Sequence, residues 1–332
     1  MFLGPMNDAV PLIIVTGFLG AGKTTMLNRV LGASHGRRVG VIINELGRID
    51  IDTRLIKSRS GDVMELVGGC VCHEVRVQSE LWAAVGEVVK RSEPEVMILE
   101  TTGIAEPWSI LDGLESLPRR TAPVTAGPVV CVVDAESGCR QLQRHEEARA
   151  QVEAADRILL SKLDLATPEQ IVAIHRLLGQ RNADAERAGF PEGAAGTAAL
   201  VTWLLDLGGR ASVSRQRATH ASDHAEAGEA HRPHAHGQLV AAVFADESPL
   251  LAEPLLQVCE RLGPTLVRAK GFVHLAGEPR RGFLERAGAH TTLKYAEPWG
   301  DERPRTELVM IGEGFDEVAI QRQLWACRAP QN

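Results

Sequence analysis

The sequence has no excess of basic residues. Its 332 residues include 36 Lys and Arg against 43 Asp and Glu, which gives a net charge of −7. Because nucleic-acid binding depends on a basic surface, this balance argues against nucleic acid as a main partner. No apolar run approaches the roughly 18 residues needed to cross a bilayer. The first residues also lack the basic segment and long apolar core of a signal peptide. We therefore expect a cytoplasmic protein with no membrane partner.

Cysteine is scarce, with six residues in the whole chain. In the cytoplasm these thiols are expected to be reduced. A closely spaced pair of cysteines in such a protein binds metal more often than it forms a disulfide.

The most informative segment is the phosphate loop, residues 17–24 (GFLGAGKT), which fits the pattern G-x-x-x-x-G-K-[ST]. An apolar run, 11–16, precedes it and a helical pattern, 25–31, follows it. Glycines in this context let backbone N–H groups approach phosphate oxygens at a helix N-terminus. The lysine provides a charge for the β- and γ-phosphates, and the next hydroxyl is a ligand for Mg²⁺. The residues assigned to the nucleotide here are Gly17, Gly20, Gly22, Lys23, Thr24 and Thr25.

Apolar runs alternate with helical patterns over the first part of the chain. Such runs predict a mostly parallel sheet covered on both faces, an α/β P-loop NTPase fold, for residues 1–207. We expect its strands at 11–16, 38–43, 62–67, 95–100, 128–133, 156–161 and 198–202.

Residues 208–237 contain almost no large apolar side chain and predict a flexible linker. Residues 238–332 predict a small α+β domain. Its expected strands are 238–245, 265–275 and 306–311, and its expected helices are 249–262 and 316–326.

A second nucleotide signal is the segment 100–103 (Glu-Thr-Thr-Gly), which follows an apolar strand. The carboxylate of Glu100 at this strand end can bind the water shell of Mg²⁺, and the backbone N–H of Gly103 can approach the γ-phosphate. We therefore assign catalytic roles to Lys23, Glu100 and Gly103. Alone, the segment also fits a strand-terminal carboxylate beside a turn.

A pattern typical of base recognition follows the run 156–160. We call it the base segment, and it consists of Ser161, Lys162, Leu163 and Asp164. It resembles the N-K-x-D pattern of GTPases. A carboxylate such as that of Asp164 accepts hydrogen bonds from N1–H and the exocyclic amino group of guanine, and adenine presents a different edge. The Lys162 stem can lie along the base. Ser161 replaces the usual Asn, so one side-chain contact differs. The segment favours GTP over ATP.

The metal segment, residues 68–73 (GGCVCH), carries two thiols and an imidazole within four residues. Cys70, Cys72 and His73 are ligands suited to Zn²⁺, Co²⁺, Cu⁺ or Ni²⁺. Three ligands leave a tetrahedral site incomplete, and Glu45, another side chain, a client protein or water are candidates for the fourth. In isolation, two buried cysteines beside a surface histidine would explain the same residues.

The linker contains a histidine cluster, in which five of the eleven histidines fall between residues 220 and 236. Histidine-rich tracts often bind metals loosely. Because ordering such a tract offsets much of its binding energy, we expect it to gather metal rather than to define a site. A solvated spacer is the alternative.

Together these segments resemble the CobW-like family of P-loop GTPases, and the resemblance covers nearly the whole chain. Residues 44–47 (NELG) with Asp52 resemble the family's switch segment, and 100–107 (ETTGIAEP) resemble its E-x-x-G stretch. In the second domain, 268–272 (RAKGF) and 306–312 (TELVMIG) resemble its R-x-K-G segment and closing strand.

The resemblance implies a GTPase that carries a transition metal, Zn²⁺ or Co²⁺, and delivers it to a client metalloprotein or cofactor-synthesis enzyme. We expect slow hydrolysis, because the motifs contain no obvious water-positioning Gln or arginine finger, with Arg48 as a candidate for that role. A homodimer is compatible with it. Two residues depart from the family's pattern. His73 replaces its third Cys, which makes the donor set harder and less suited to Cu⁺, and Arg48 stands where an acidic residue is common.

Two other functions stay open at this point. One is a P-loop kinase or ATPase acting on a small molecule, with structural cysteines. The other is a metal reservoir built on the histidine cluster. A preference for ATP over GTP would favour the first, and loss of most bound metal on deletion of residues 220–236 would favour the second.

Overall fold

The structure is a computed structural model that describes residues 9–33, 36–45, 63–67, 75–117, 123–207, 239–287, 290–300 and 302–330. The described residues up to 207 belong to one compact unit, and those from 239 onward belong to a second.

The first unit is built on a seven-stranded sheet in which every neighbouring pair of strands is parallel. The order across the sheet is β3-β2-β4-β1-β5-β6-β7. The strands are β1 (Val10–Thr16), β2 (Val39–Glu45), β3 (Val63–Val67), β4 (Val96–Glu100), β5 (Val124–Asp134), β6 (Arg157–Ser161) and β7 (Glu186–Gly189). The predicted parallel α/β fold is confirmed.

Seven helices are described in this unit: α1 (Lys23–Leu31), α2 (Val75–Ser92), α3 (Pro107–Ser116), α4 (Gly138–Arg144), α5 (Glu146–Glu153), α6 (Pro168–Arg181) and α7 (Gly193–Leu205). Side chains alternate between the two faces of a strand. Ile13 of β1 therefore packs with α1 and α7 on one face, and its neighbour Leu12 packs with α2 and α3 on the other. Both faces of the central strands are buried, which explains their continuous apolar sequence.

One predicted strand is wrong, because residues 198–202 lie inside helix α7. Alanines at 194, 195, 198 and 199 favour a helix. The large apolar side chains recur at helical spacing, so that Leu200, Val201, Leu204 and Leu205 are all buried. The seventh strand is instead β7, a four-residue segment without a large apolar side chain.

The second unit contains a five-stranded antiparallel sheet of order β11-β10-β9-β12-β8 with two α-helices. Its elements are β8 (Leu239–Asp246), α8 (Ala252–Leu262), β9 (Leu266–Val273), β10 (Arg280–Ala287), β11 (His290–Pro298), β12 (Thr306–Glu313) and α9 (Glu317–Trp325). Phe244, Leu255, Leu308 and Leu324 belong to its core.

The α+β class of this unit is as predicted, and the two strands β10 and β11 are additional to the expectation. No helix in the described ranges is both long and apolar enough to cross a membrane.

Arg157, the first residue of β6, holds the end of α7 against the sheet. Its guanidinium is buried and donates to the carbonyl oxygens of Trp203 (2.6 Å) and Asp206 (2.7 Å). It also forms ion pairs with the carboxylates of Glu186 and Asp206, both at 3.3 Å. These contacts lie at the end of β6 opposite to Ser161.

We expect Arg157→Ala to lower the free energy of unfolding by about 2–3 kcal/mol, because a buried guanidinium and its two hydrogen bonds to carbonyl groups are lost. Urea unfolding measures this change. Arg181→Ala is the control, since Arg181 pairs with Glu153 at the surface (3.0 Å) and its loss is expected to cost under about 1 kcal/mol. Equal effects of the two substitutions would contradict this account of Arg157.

Candidate nucleotide site

Several predicted site segments lie at one edge of the first sheet. The phosphate loop follows β1, segment 100–103 begins at the end of β4, and the base segment begins at the end of β6. In the strand order, β1 and β5 separate β4 from β6. Parallel α/β sheets bind ligands beyond the carboxyl ends of their strands, so this edge is the candidate site.

The phosphate loop passes very close to β5. Gly17 has φ of +138°, and a Cβ atom placed on it would lie 2.3 Å from the carbonyl oxygen of Val132. Only glycine fits both the backbone conformation and this distance. The loop leads into α1, whose first residue, Lys23, is buried and donates from Nζ to the carbonyl oxygen of Gly17 at 2.6 Å. The cation therefore lies within the loop.

Thr24 and Glu100, the two predicted Mg²⁺-associated residues, are in direct contact. The Thr24 hydroxyl donates to Glu100 Oε1 at 2.9 Å, although 76 residues separate them in sequence. Glu100 is buried at the end of β4. A hydroxyl and a carboxylate beside a phosphate loop form the oxygen donor set that Mg²⁺ prefers. The residues present therefore fit this ion.

The last residue of segment 100–103 lies against the phosphate loop. A Cβ atom on Gly103 would lie 2.8 Å from Leu19 Cα and 2.5 Å from Leu19 Cδ2, so no larger residue fits without displacement. Thr101 N donates to the carbonyl oxygen of Val15 at 2.9 Å, which continues the β1–β4 pairing. Gly103 is thus packed directly against the phosphate loop.

Ser161 contacts the phosphate loop directly. Its buried hydroxyl donates to the carbonyl oxygen of Ala21 at 2.6 Å. The side chain that replaces the usual Asn therefore joins the base segment to the phosphate loop. Asp164, three residues later, is exposed at the same edge of the sheet.

Lys162 has a left-handed backbone, with φ of +54°, and its Nζ forms an ion pair with Asp134 Oδ2 at 2.7 Å. Asp134 ends β5, is buried, and accepts from the backbone N–H groups of Glu136 (2.8 Å) and Ser137 (3.0 Å) through Oδ1. This carboxylate fixes where the Lys162 stem runs. Sequence reasoning missed Asp134, although a carboxylate ending an apolar strand is the signal that identified Glu100.

A further loop, 190–193, follows β7 next to the base segment, and sequence reasoning missed it too. The N–H of Phe190 donates to the carbonyl oxygen of Leu160 at 2.7 Å. Arg29 of α1 donates to the carbonyl oxygens of Pro191 and Gly193, and its guanidinium lies 5.1 Å from the Phe190 ring centre. The loop is therefore bound to the helix that begins at Lys23. No sequence pattern marks it.

The predicted metal ligands Cys70, Cys72 and His73 lie outside the described residues, as do Arg48, Asp52 and the histidine cluster. For Glu45 the backbone position is described. It ends β2, and its register partner on β3 is Val67, three residues before Cys70. Glu45 and Val67 therefore lie at neighbouring strand ends.

In sequence the metal segment lies between the switch segment and segment 100–103. In the sheet, β3, the strand that precedes the metal segment in sequence, is the outermost strand. Strand β2 separates it from β4, which ends at Glu100.

Four cysteines belong to the described residues, and three of them, Cys131, Cys259 and Cys327, are buried. Burial raises the pKa of the Cys131 thiol to about 12, against the opposing effect of Lys23, and that of Cys259 to about 11. Since thiolates bind metals, these thiols are poor ligands. Among the described residues no group of three or more His, Cys, Asp or Glu side chains could hold a metal ion.

Comparison with known protein families yields two matches. Residues 11–187 match the CobW/HypB/UreG nucleotide-binding domain, and residues 239–328 match the C-terminal domain of the cobalamin synthesis protein cobW.

Three curated relatives are similar along nearly the whole chain. The zinc chaperone CobW of Pseudomonas aeruginosa is 31% identical, over 95% of this chain and 90% of its own. The zinc chaperone YjiA of Escherichia coli is 28% identical, over 95% and 97%. The zinc-regulated GTPase metalloprotein activator 1 of Dictyostelium discoideum is 26% identical, over 96% and 80%.

The first match covers more than half of the chain and includes the phosphate loop, segment 100–103 and the base segment. The chain therefore belongs to the CobW/HypB/UreG family of nucleotide-binding proteins and carries the CobW C-terminal domain.

Proposed function

We propose that the protein is a GTP-hydrolysing metallochaperone, which binds a transition metal and delivers it to a client in a nucleotide-dependent way. The observation that carries the proposal is the hydrogen bond between Thr24 and Glu100, which joins the phosphate loop to segment 100–103. The names of the relatives, which include zinc chaperones and a GTPase metalloprotein activator, support the metal and nucleotide roles.

In the proposed site, Gly17, Gly20 and Gly22 expose backbone N–H groups to the phosphates, and Lys23 neutralises the β- and γ-phosphate charge. Thr25 follows on the first turn of α1. Thr24 and Glu100 would hold Mg²⁺, which supplies charge neutralisation on the β- and γ-phosphates when bound. The backbone N–H of Gly103 faces the γ-phosphate. Hydrolysis is expected to be slow, because none of these residues is a water-positioning Gln or an arginine finger.

Guanine recognition is assigned to the base segment. Asp164 accepts from the base, while Lys162, directed by the ion pair with Asp134, lies along it. Ser161 contributes by joining this segment to the carbonyl oxygen of Ala21. Loop 190–193, whose Phe190 N–H donates to Leu160 beside the base segment, is a further candidate for contact with the base.

The transported metal, Zn²⁺ or Co²⁺, is assigned to Cys70, Cys72 and His73, with Glu45 as a candidate fourth ligand. Glu45 ends the strand that leads into the switch segment, and β2 pairs with β4, which ends at Glu100. With strands about 4.8 Å apart, the end of β3 is roughly 10 Å from the end of β4. Coupling would therefore pass through the ends of β2 and β4 rather than by direct contact.

Coupling between the metal and the nucleotide is reciprocal and is typically worth about 1–3 kcal/mol. Complete release of a fully bound metal needs a roughly 10⁴-fold change in affinity, or about 5.5 kcal/mol. Hydrolysis alone is therefore expected to loosen the metal only in part. A client metalloprotein or cofactor-synthesis enzyme with better ligands would complete the transfer. We propose that this occurs in the cytoplasm, with a homodimer as one compatible assembly.

Asp164→Asn tests the choice of base. An amide accepts only one of the two guanine hydrogen bonds and directs a donor at the guanine amino group, so GTP affinity should fall at least ~10-fold. Xanthosine triphosphate carries a carbonyl at that position and should bind the variant better than it binds the parent. Competition binding measures both, with ATP included. An ATP preference in the parent would instead favour a kinase or ATPase.

Replacing both thiols tests the metal site. Cys70→Ala/Cys72→Ala should lose the tight equivalent of Zn²⁺ or Co²⁺ and keep GDP affinity, because two of the local ligands are removed. Metal analysis after dialysis measures the bound equivalents. Cys139→Ala is the control, and a chain lacking residues 220–236 should keep its tight equivalent. If that deletion removes the metal and the double variant keeps it, the protein is a reservoir built on the histidine cluster.

Metal affinity in two nucleotide states tests the coupling. Zn²⁺ affinity measured by chelator competition should differ by about fivefold or more between GDP and a non-hydrolysable GTP analogue. Lys23→Ala, which should bind neither nucleotide tightly, is the control in which the difference disappears. Equal affinities in the parent would falsify nucleotide-dependent release while leaving GTP hydrolysis untouched.

A further inference from the structure

Helix α5 contacts both phosphate-side loops. The ring of His145, the residue before its first turn, stacks on Phe18 of the phosphate loop with 4.5 Å between ring centres. Two turns further, Gln151 Nε2 donates to the carbonyl oxygens of Gly103 and Ala105, each at 3.1 Å. One short helix thus joins the phosphate loop to the turn that follows Glu100.

The orientation of the Gln151 amide is determined by its partners. Both neighbouring atoms are carbonyl oxygens, which only accept, so the NH₂ end of the amide must face them. The side chain is buried, with 1% of its surface exposed. Within the part of the chain that the structure describes, its Oε1 atom is also buried and accepts no hydrogen bond. A buried acceptor without a hydrogen bond is unfavourable. The side chain therefore satisfies two carbonyl oxygens of the turn while its own Oε1 atom stays unsatisfied.

Gly103 is consequently held from two sides. Leu19 of the phosphate loop leaves no room for a Cβ atom on one side, and Gln151 binds its carbonyl oxygen. The N–H of Gly103 belongs to the planar peptide group that links Thr102 to Gly103. That peptide lies between the Thr101 N–H, which donates to Val15, and the Gly103 carbonyl oxygen, which accepts from Gln151, so the backbone that carries the Gly103 N–H is held at both ends. The N–H of this residue is the group assigned to the γ-phosphate.

We propose that Gln151 is a positioning residue for GTP hydrolysis, which holds the Gly103 N–H towards the γ-phosphate without touching the nucleotide. This inference rests on the proposed GTPase function. Since GDP has no γ-phosphate, Gln151 contributes to the binding of GTP and to turnover and leaves GDP binding unchanged.

Gln151→Met tests this role, because methionine matches the length of glutamine and has no donor. We expect kcat for GTP hydrolysis to fall about tenfold, and the Kd of a non-hydrolysable GTP analogue to rise by about as much. The Kd of GDP should stay within about twofold. Gln141→Met is the matched control, because Gln141 is also a buried glutamine, and it lines one small cavity together with Gln151. A purely structural role would shift both nucleotides and the melting temperature together.

Gln151→Glu is the second variant, in which carboxylate oxygens face the two carbonyl oxygens. It should show the same loss of kcat and of analogue affinity, with GDP affinity retained. If either folded variant keeps the parent's ratio of analogue affinity to GDP affinity, the proposal is overturned. If neither variant folds, the proposal is tested by hydrogen exchange of the backbone amides of residues 101–105 in the parent, measured with the analogue and with GDP. More protection with the analogue than with GDP supports the proposal, and equal protection overturns it. A parent that binds no GTP would instead remove the proposed function itself.

Discussion

The hydrogen bond between Thr24 and Glu100 is the contact on which the candidate site depends. It joins two chain segments that are far apart in sequence and that follow neighbouring parallel strands. Glu100 ends β4, which is buried on both faces, and Thr24 lies in the first turn of α1, which packs on the same sheet. The oxygen atoms assigned to Mg²⁺ are therefore positioned by a buried strand and by the start of a helix packed on it.

Around this contact, side chains hold the loops of the same edge together. Ser161 links the base segment to Ala21, Arg29 links loop 190–193 to α1, and Gln151 links α5 to Gly103. Each of these links ends on a backbone carbonyl group. These links therefore fix the backbones of the loops relative to one another.

Sequence patterns predicted the fold and family of the nucleotide-binding domain, because phosphate binding needs specific residue types at fixed spacing. They failed where tertiary contacts decide. Residues 198–202 form part of α7 since their apolar side chains continue a helical pattern, and β7 is short and lacks apolar residues. Asp134 ends an apolar strand as Glu100 does, but its partner Lys162 is brought near only by the fold. No local pattern identifies the contacts of Gln151 with Gly103 and Ala105. The ligands assigned to the metal lie outside the described residues and stay a prediction.

The backbone of Lys162 has a consequence for engineering of this protein. A left-handed conformation disfavours a lysine by about 1–2 kcal/mol relative to glycine. Glycine at this position would relieve that strain but would leave Asp134 buried without its ammonium partner. For heat resistance, the ion pair between Lys162 and buried Asp134 therefore has to be weighed against the backbone strain that glycine would remove.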